Sequence, residues 1–205
     1  LVDMTSPGIT VKPLRQMTGE AEFNEVFFDG VRVPGENLVG KLNEGWSVAL
    51  TTLAYERDLL TVIRHISLRA ALDRLIALTK KTPRHGGTAG QDPIVRQKVA
   101  QLVIAEACLR LNGYRSLTNI IRGGQPGPEG STSKFFWSLV DQELAETATE
   151  ILGARSQIDR GSTWAVDDGQ WMTNCLLARA SWIRAGTSEI LRNILAERVL
   201  GLPKD

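Results

Sequence analysis

Glu56 is the residue whose placement most needs a chemical reason. It follows Leu53 by three positions and precedes Leu60 by four, a spacing that puts all three on one face of a helix. A carboxylate set in an apolar stripe either loses its water, which costs several kcal/mol and lifts its pKa toward neutrality, or finds a cation. The first case makes a general base able to take a weakly acidic proton. In the second, Arg57 or Arg64 is the partner, or the helix is rotated enough to leave Glu56 in water. Neighbours on a helix diverge by ~100°, so Arg57 faces elsewhere and suits a separate anion better.

Gly186-Thr187-Ser188-Glu189 has the form of a helix start, where free backbone amides and the positive end of the helix dipole can hold a phosphate or a carbonyl oxygen. Plain capping is the simpler reading of the same residues. Neither His65 nor His85 has a second ligand type at metal-binding spacing, so no metal site is expected. Cys108 and Cys175 lie far apart in apolar, helix-like surroundings and read as reduced core thiols. The five tryptophans read as core or interface residues, and Arg110, Arg115 and Arg122 as a solvated or subunit-facing surface.

The elements that carry these residues follow from the change of period along the chain. In residues 1–42, Ile9-Thr10-Val11, Phe23–Phe28 and Val31–Val33 are β-branched or aromatic runs broken by Pro7-Gly8, Thr18-Gly19 and Asp29-Gly30, and they read as three short strands. From Asn43, a plausible N-cap, apolar residues recur at three- and four-residue steps through Trp46, Leu50, Leu53, Leu60 and Ile63 to Leu78, predicting a helix to about Lys81. Residues 82–91 then read as a loop. Asp92-Pro93 caps a second helix to about Ile121, a third fits Ser131 to Leu152, a fourth fits about Gln170 to Ala185, and a short last one follows Gly186. The expected fold is α+β, predominantly α: a β segment over 1–42, then an antiparallel four-helix bundle over 43–205.

With 42% hydrophobic and 23% charged residues in 205, the chain has the composition of an ordinary globular protein. Lys plus Arg (24) nearly balance Asp plus Glu (23), so no charge excess calls for nucleic acid or an anionic membrane surface. No apolar stretch approaches the ~20 residues that span a bilayer, so no membrane insertion and a cytoplasmic location are expected. The opening Leu1-Val2-Asp3-Met4 reads like the interior of a domain, which predicts a fragment.

Two long stretches carry a resemblance. One is Gly8–Leu14 with Phe23–Pro34, Asn37–Gly40 and Glu44-Gly45-Trp46; the other is Gly186–Pro203. They resemble the end of the β-domain and the C-terminal helical bundle of the acyl-CoA dehydrogenase family, and the likeness spans nearly the whole chain. It implies α,β-dehydrogenation of an acyl-CoA thioester to the 2-enoyl-CoA. A carboxylate takes the α-proton, the β-hydride passes to N5 of FAD, and the electrons leave to an electron-transferring flavoprotein. The family base occupies one of two places. Immediately before the Gly-Thr of the closing motif this chain has Ala185, which cannot act, whereas on the first bundle helix, before an arginine, it has Glu56-Arg57. The resemblance therefore implies Glu56 as base and Arg57 as a substrate-binding residue.

It also implies FAD contacts at Arg84, Gln97, Glu150, Gly153, Thr187 and Glu189, within a homotetramer or mixed tetramer. The family's Gln-x-x-Gly-Gly stretch appears here as Glu150-Ile151-Leu152-Gly153-Ala154, with the Gln and the second Gly replaced. That departure favours an alternative, a non-catalytic partner subunit that completes a neighbour's cofactor site. An acyl-CoA oxidase or flavin monooxygenase on the same fold is a further one.

Overall fold

A computed structural model describes the chain apart from residues 125, 126, 129 and 205 and the side chains of residues 54–62. It divides into two compact units, Leu1–Leu53 and Ala54–Asp205.

The first unit is built on an antiparallel hairpin of β1 (Ile9–Leu14) and β2 (Phe23–Phe28), in the register Ile9 opposite Phe28 through Leu14 opposite Phe23. Gly8 is required there: at φ 91°, a Cβ would lie 2.1 Å from the Asp29 carbonyl oxygen. Val31–Val33, expected as a third strand, is unpaired, because Gly30 (φ 59°) turns the chain away from β2 and the run meets Pro34. Asn43 is not the cap of the following helix. Its φ of 67° is left-handed, whereas an N-cap needs extended backbone. The Glu44 carbonyl instead accepts from the Ser47 amide (3.1 Å) and hydroxyl (2.8 Å).

Helix α1 spans Gly45–Lys81. Its leucines Leu68, Leu72, Leu75 and Leu78 enter the core, whereas Trp46, Leu50, Leu53 and Ile63, the earlier part of the predicted stripe, are exposed. The expected loop after α1 contains a two-residue hairpin, β3 (Pro83–Arg84) with β4 (Gly87–Thr88), turned by His85 and Gly86, both at positive φ as such tight turns demand. Asp92 caps α2 (Pro93–Ile121), its Oδ1 accepting from the amides of Ile94 (2.8 Å) and Val95 (3.4 Å), with Pro93 at the first helical position.

Helix α3 (Gly130–Leu152) is central, packing on α2, on α4 (Gln170–Ser181) and on α5 (Ser188–Arg198). Leu72 and Leu75 of α1, Leu102 and Leu109 of α2, Trp137, Val140 and Leu144 of α3 and Trp171 of α4 close one hydrophobic core. The face of α3 bearing Ser131, Lys134, Ser138, Ala145 and Ala148 is buried too, although the first three of these are polar. Among the described residues no helix is long and apolar enough to cross a membrane.

Candidate active site

The best organised polar cluster lies where α4 gives way to α5. Helix α4 was expected to continue to Ala185 but ends at Ser181. Ala185 (φ 57°) and Gly186 (φ 96°) turn the chain into left-handed backbone, and the Ser181 carbonyl is taken by a side chain from α3. That side chain is Lys134, fully buried, whose ammonium donates to the carbonyls of Ser181 (2.9 Å) and Gly186 (2.8 Å). Loss of water, then the cations Arg64 and Arg184, push its pKa down to about 8, against a smaller pull from Glu189.

One turn further along α3, the guanidinium groups of Arg64 (4.4 Å) and Arg184 (5.4 Å) both lie over the Trp137 ring. Asp141 lies one turn beyond that; its Oδ2 accepts from the Ser181 hydroxyl (2.6 Å), and burial raises its pKa despite that bond and both arginines. Thr187 is the N-cap of α5, its Oγ accepting from the Ile190 amide (3.3 Å). Glu189 is held below the usual carboxylate range, first by its own backbone N–H and then by the Thr187 hydroxyl. Of the polar residues in α5's first turn, Glu189 acts on the buried ammonium through its charge.

Of the other expected cofactor residues, Glu150 and Gly153 lie at the opposite end of α3, Gln97 lies in the second turn of α2 and Arg84 in β3. At 1.5 Å per residue, Lys134 and Glu150 stand roughly 24 Å apart along α3. Lys98 of α2 donates to both carboxylate oxygens of Glu150 (2.7 and 2.6 Å) beside the exposed Gln97, and Gly153 (φ 57°) closes α3 in exposed, left-handed backbone. Arg84 donates its Nε to Asp92 Oδ2 (2.6 Å), so one carboxylate both caps α2 and orients the arginine over an open cleft of about 610 Å³. Glu56 and Arg57 lie outside the described residues.

Sequence reasoning missed Lys134, Asp141, Ser181 and Arg184. The only signal was that Ser131, Lys134, Ser138 and Asp141 share one helical face, which reads as solvated until α4 and α5 cover it. Both cysteines are free, but Cys108 is exposed rather than in the core, lining an apolar α2–α3 groove with Leu139 and Trp182. Among the described residues no group of three or more His, Cys, Asp or Glu side chains could hold a metal.

Residues 43–200 match the acyl-CoA dehydrogenase C-terminal domain, and the chain belongs to the acyl-CoA dehydrogenase family. It is 35% identical over its whole length to the acyl-CoA dehydrogenase IpdE1 of Mycolicibacterium smegmatis, covering 49% of that protein. It is 34% identical over its whole length to the acyl-CoA dehydrogenase FadE34 of Mycobacterium tuberculosis, covering 26% of it. The chain therefore spans about half the length, or less, of these curated relatives. Among solved structures, the Tcur3481-Tcur3483 steroid ACAD superposes with a TM-score of 0.87 at 24% identity, over 100% of this chain and 51% of that one. The ChsE4-ChsE5 complex from Mycobacterium tuberculosis does so with a TM-score of 0.85 at 23% identity, over 100% and 52%. At these identities the structural neighbours establish the fold.

Proposed function

We infer that this chain is the C-terminal part of an FAD-dependent acyl-CoA dehydrogenase that converts an acyl-CoA thioester to the 2-enoyl-CoA. The observation that carries the reading is the 35% identity to a curated acyl-CoA dehydrogenase over the whole chain. Glu56 is the proposed base, the one candidate left by Ala185, and Arg57 binds the substrate. The α-proton of a thioester is weakly acidic, so the base must be poorly hydrated and the carbonyl polarised by fixed donors.

FAD, when bound, supplies the hydride acceptor, and an electron-transferring flavoprotein drains the electrons. The residues present fit such a cofactor. The start of α5 offers a turn backed by positive charge, where Thr187 and Glu189 would hold the flavin. Arg84 in β3 and Gln97 near the start of α2 suit the adenosine diphosphate part, and at the end of α3, beside Gly153, Lys98 neutralises Glu150, whose charge would otherwise repel a diphosphate. The working unit is a homotetramer or a mixed tetramer.

The alternative reading, a non-catalytic partner subunit of a mixed tetramer, is favoured by Glu150 and Ala154 in place of the family's Gln and Gly. Flavin content and phenazine-coupled oxidation of a series of acyl-CoAs, measured on the complete assembly carrying this chain, separate the two. Flavin at one per active subunit with turnover supports the first reading. Flavin bound only when a second type of chain is present, with every catalytic contact supplied by that chain, supports the second.

A further inference from the structure

Lys134 is the only fully buried cation among the described residues. Removing an ammonium from water is expensive unless fixed dipoles replace the solvent, so a lysine here needs a role that an apolar side chain of the same length could not fill. Two of its protons go to carbonyls that bracket the α4–α5 turn. The Ser181 carbonyl is the last of α4 and would be satisfied by the amide four residues on, had the helix continued. The Gly186 carbonyl belongs to the peptide whose N–H is that of Thr187. A charged donor on a carbonyl polarises its peptide and strengthens the N–H as a donor. Among the described residues no protein acceptor takes that N–H.

We propose that Lys134 is a positioning residue, whose ammonium ties the two ends of the α4–α5 turn together and holds the Gly186–Thr187 peptide as a strengthened donor for the bound cofactor. The proposal rests on the flavin-dependent reading above. The charged groups facing Lys134 are Arg64 from α1, Arg184 from the turn and Glu189 from α5. Burial and the two arginines outweigh the one acid, so the ammonium loses its proton near pH 8, within the range where the protein can be handled. Geometry alone would survive that loss, since a neutral amine can still bridge two carbonyls. The polarisation would not.

The test is FAD affinity as a function of pH, by titrating flavin into the flavin-stripped complete assembly between about pH 6.5 and about pH 9.5, the range that brackets this group. The expected result is an affinity that is level at low pH and weakens at least threefold through pH 8, with the step absent and the affinity lower throughout in Lys134→Met. The wild-type series needs no variant, so it stands even if Lys134→Met does not assemble. Flavin held with the same affinity across the range, or a step that persists in Lys134→Met, overturns the proposal alone. A complete assembly that takes up no flavin at any pH overturns the flavin-dependent reading itself.

Discussion

Replacing Lys134 by methionine should change the pH dependence of stability as well as cofactor binding, and the size of the change follows from the site. Burial and the two flanking arginines bring the ammonium from an ordinary 10.5 to about 8. At 1.36 kcal/mol per pKa unit, the charged form costs the native state roughly 3 kcal/mol relative to the neutral amine. Below pH 8 lysine is protonated in both native and unfolded chains, so the whole cost is present. Between pH 8 and 10.5 the unfolded chain still binds the proton and the native one does not, so stability rises with pH, and above 10.5 the cost is gone. Methionine abolishes the effect. Urea unfolding of both proteins in parallel at a series of pH values through this window, followed by tryptophan fluorescence, measures it. The wild type should gain roughly 3 kcal/mol on Lys134→Met between neutral pH and the top of the window, whatever their offset at neutral pH. Curves that stay parallel to within about 0.5 kcal/mol would refute the reasoning, because the ammonium would then be no worse solvated inside than outside.

Asp141 obeys the same logic with the opposite sign. Its raised pKa means that the native state resists ionisation at neutral pH, so Asp141→Asn, which still accepts from Ser181, should raise the melting temperature at pH 7 and lose that advantage as pH falls through the carboxylate range. Asp92→Ala removes the α2 cap and the partner of Arg84; it should cost about 1 kcal/mol and speed hydrogen exchange at Ile94 and Val95 without affecting α5. Glu150→Gln breaks a partly exposed pair with Lys98, so stability should stay within about 1 kcal/mol. It also restores the family's residue type, and flavin affinity in the assembly should rise. An unchanged affinity would remove Glu150 as an argument for a non-catalytic subunit.

What could be read from the sequence was what is decided locally. Asp92-Pro93 carries both a side-chain acceptor and a preset φ, and the start of α2 follows from those two residues alone. The start of α5 at Thr187-Ser188 was legible for the same reason. Where α4 ends could not be read, because the group that takes the Ser181 carbonyl lies on α3, forty-seven positions away in sequence. Lys134 and Asp141 were invisible as site residues because helical periodicity treats a polar stripe as wet, and α3 is covered on that face as well as on its apolar one. Val31–Val33 has strand composition without a neighbour to pair with, and Asn43 has capping chemistry in a backbone conformation that cannot use it. The candidate base was found differently again, by an apolar pattern around Glu56 and a family motif that leaves Ala185 where a carboxylate could have been.

The most direct test of the central claim is therefore acyl-CoA oxidation by Glu56→Gln in the complete, flavin-loaded assembly. Loss of a general base should lower turnover by at least about 100-fold with flavin content and thermal stability unchanged. Turnover within about threefold of the parent protein, far short of what losing a general base costs, would contradict the assignment and leave this chain without a base of its own.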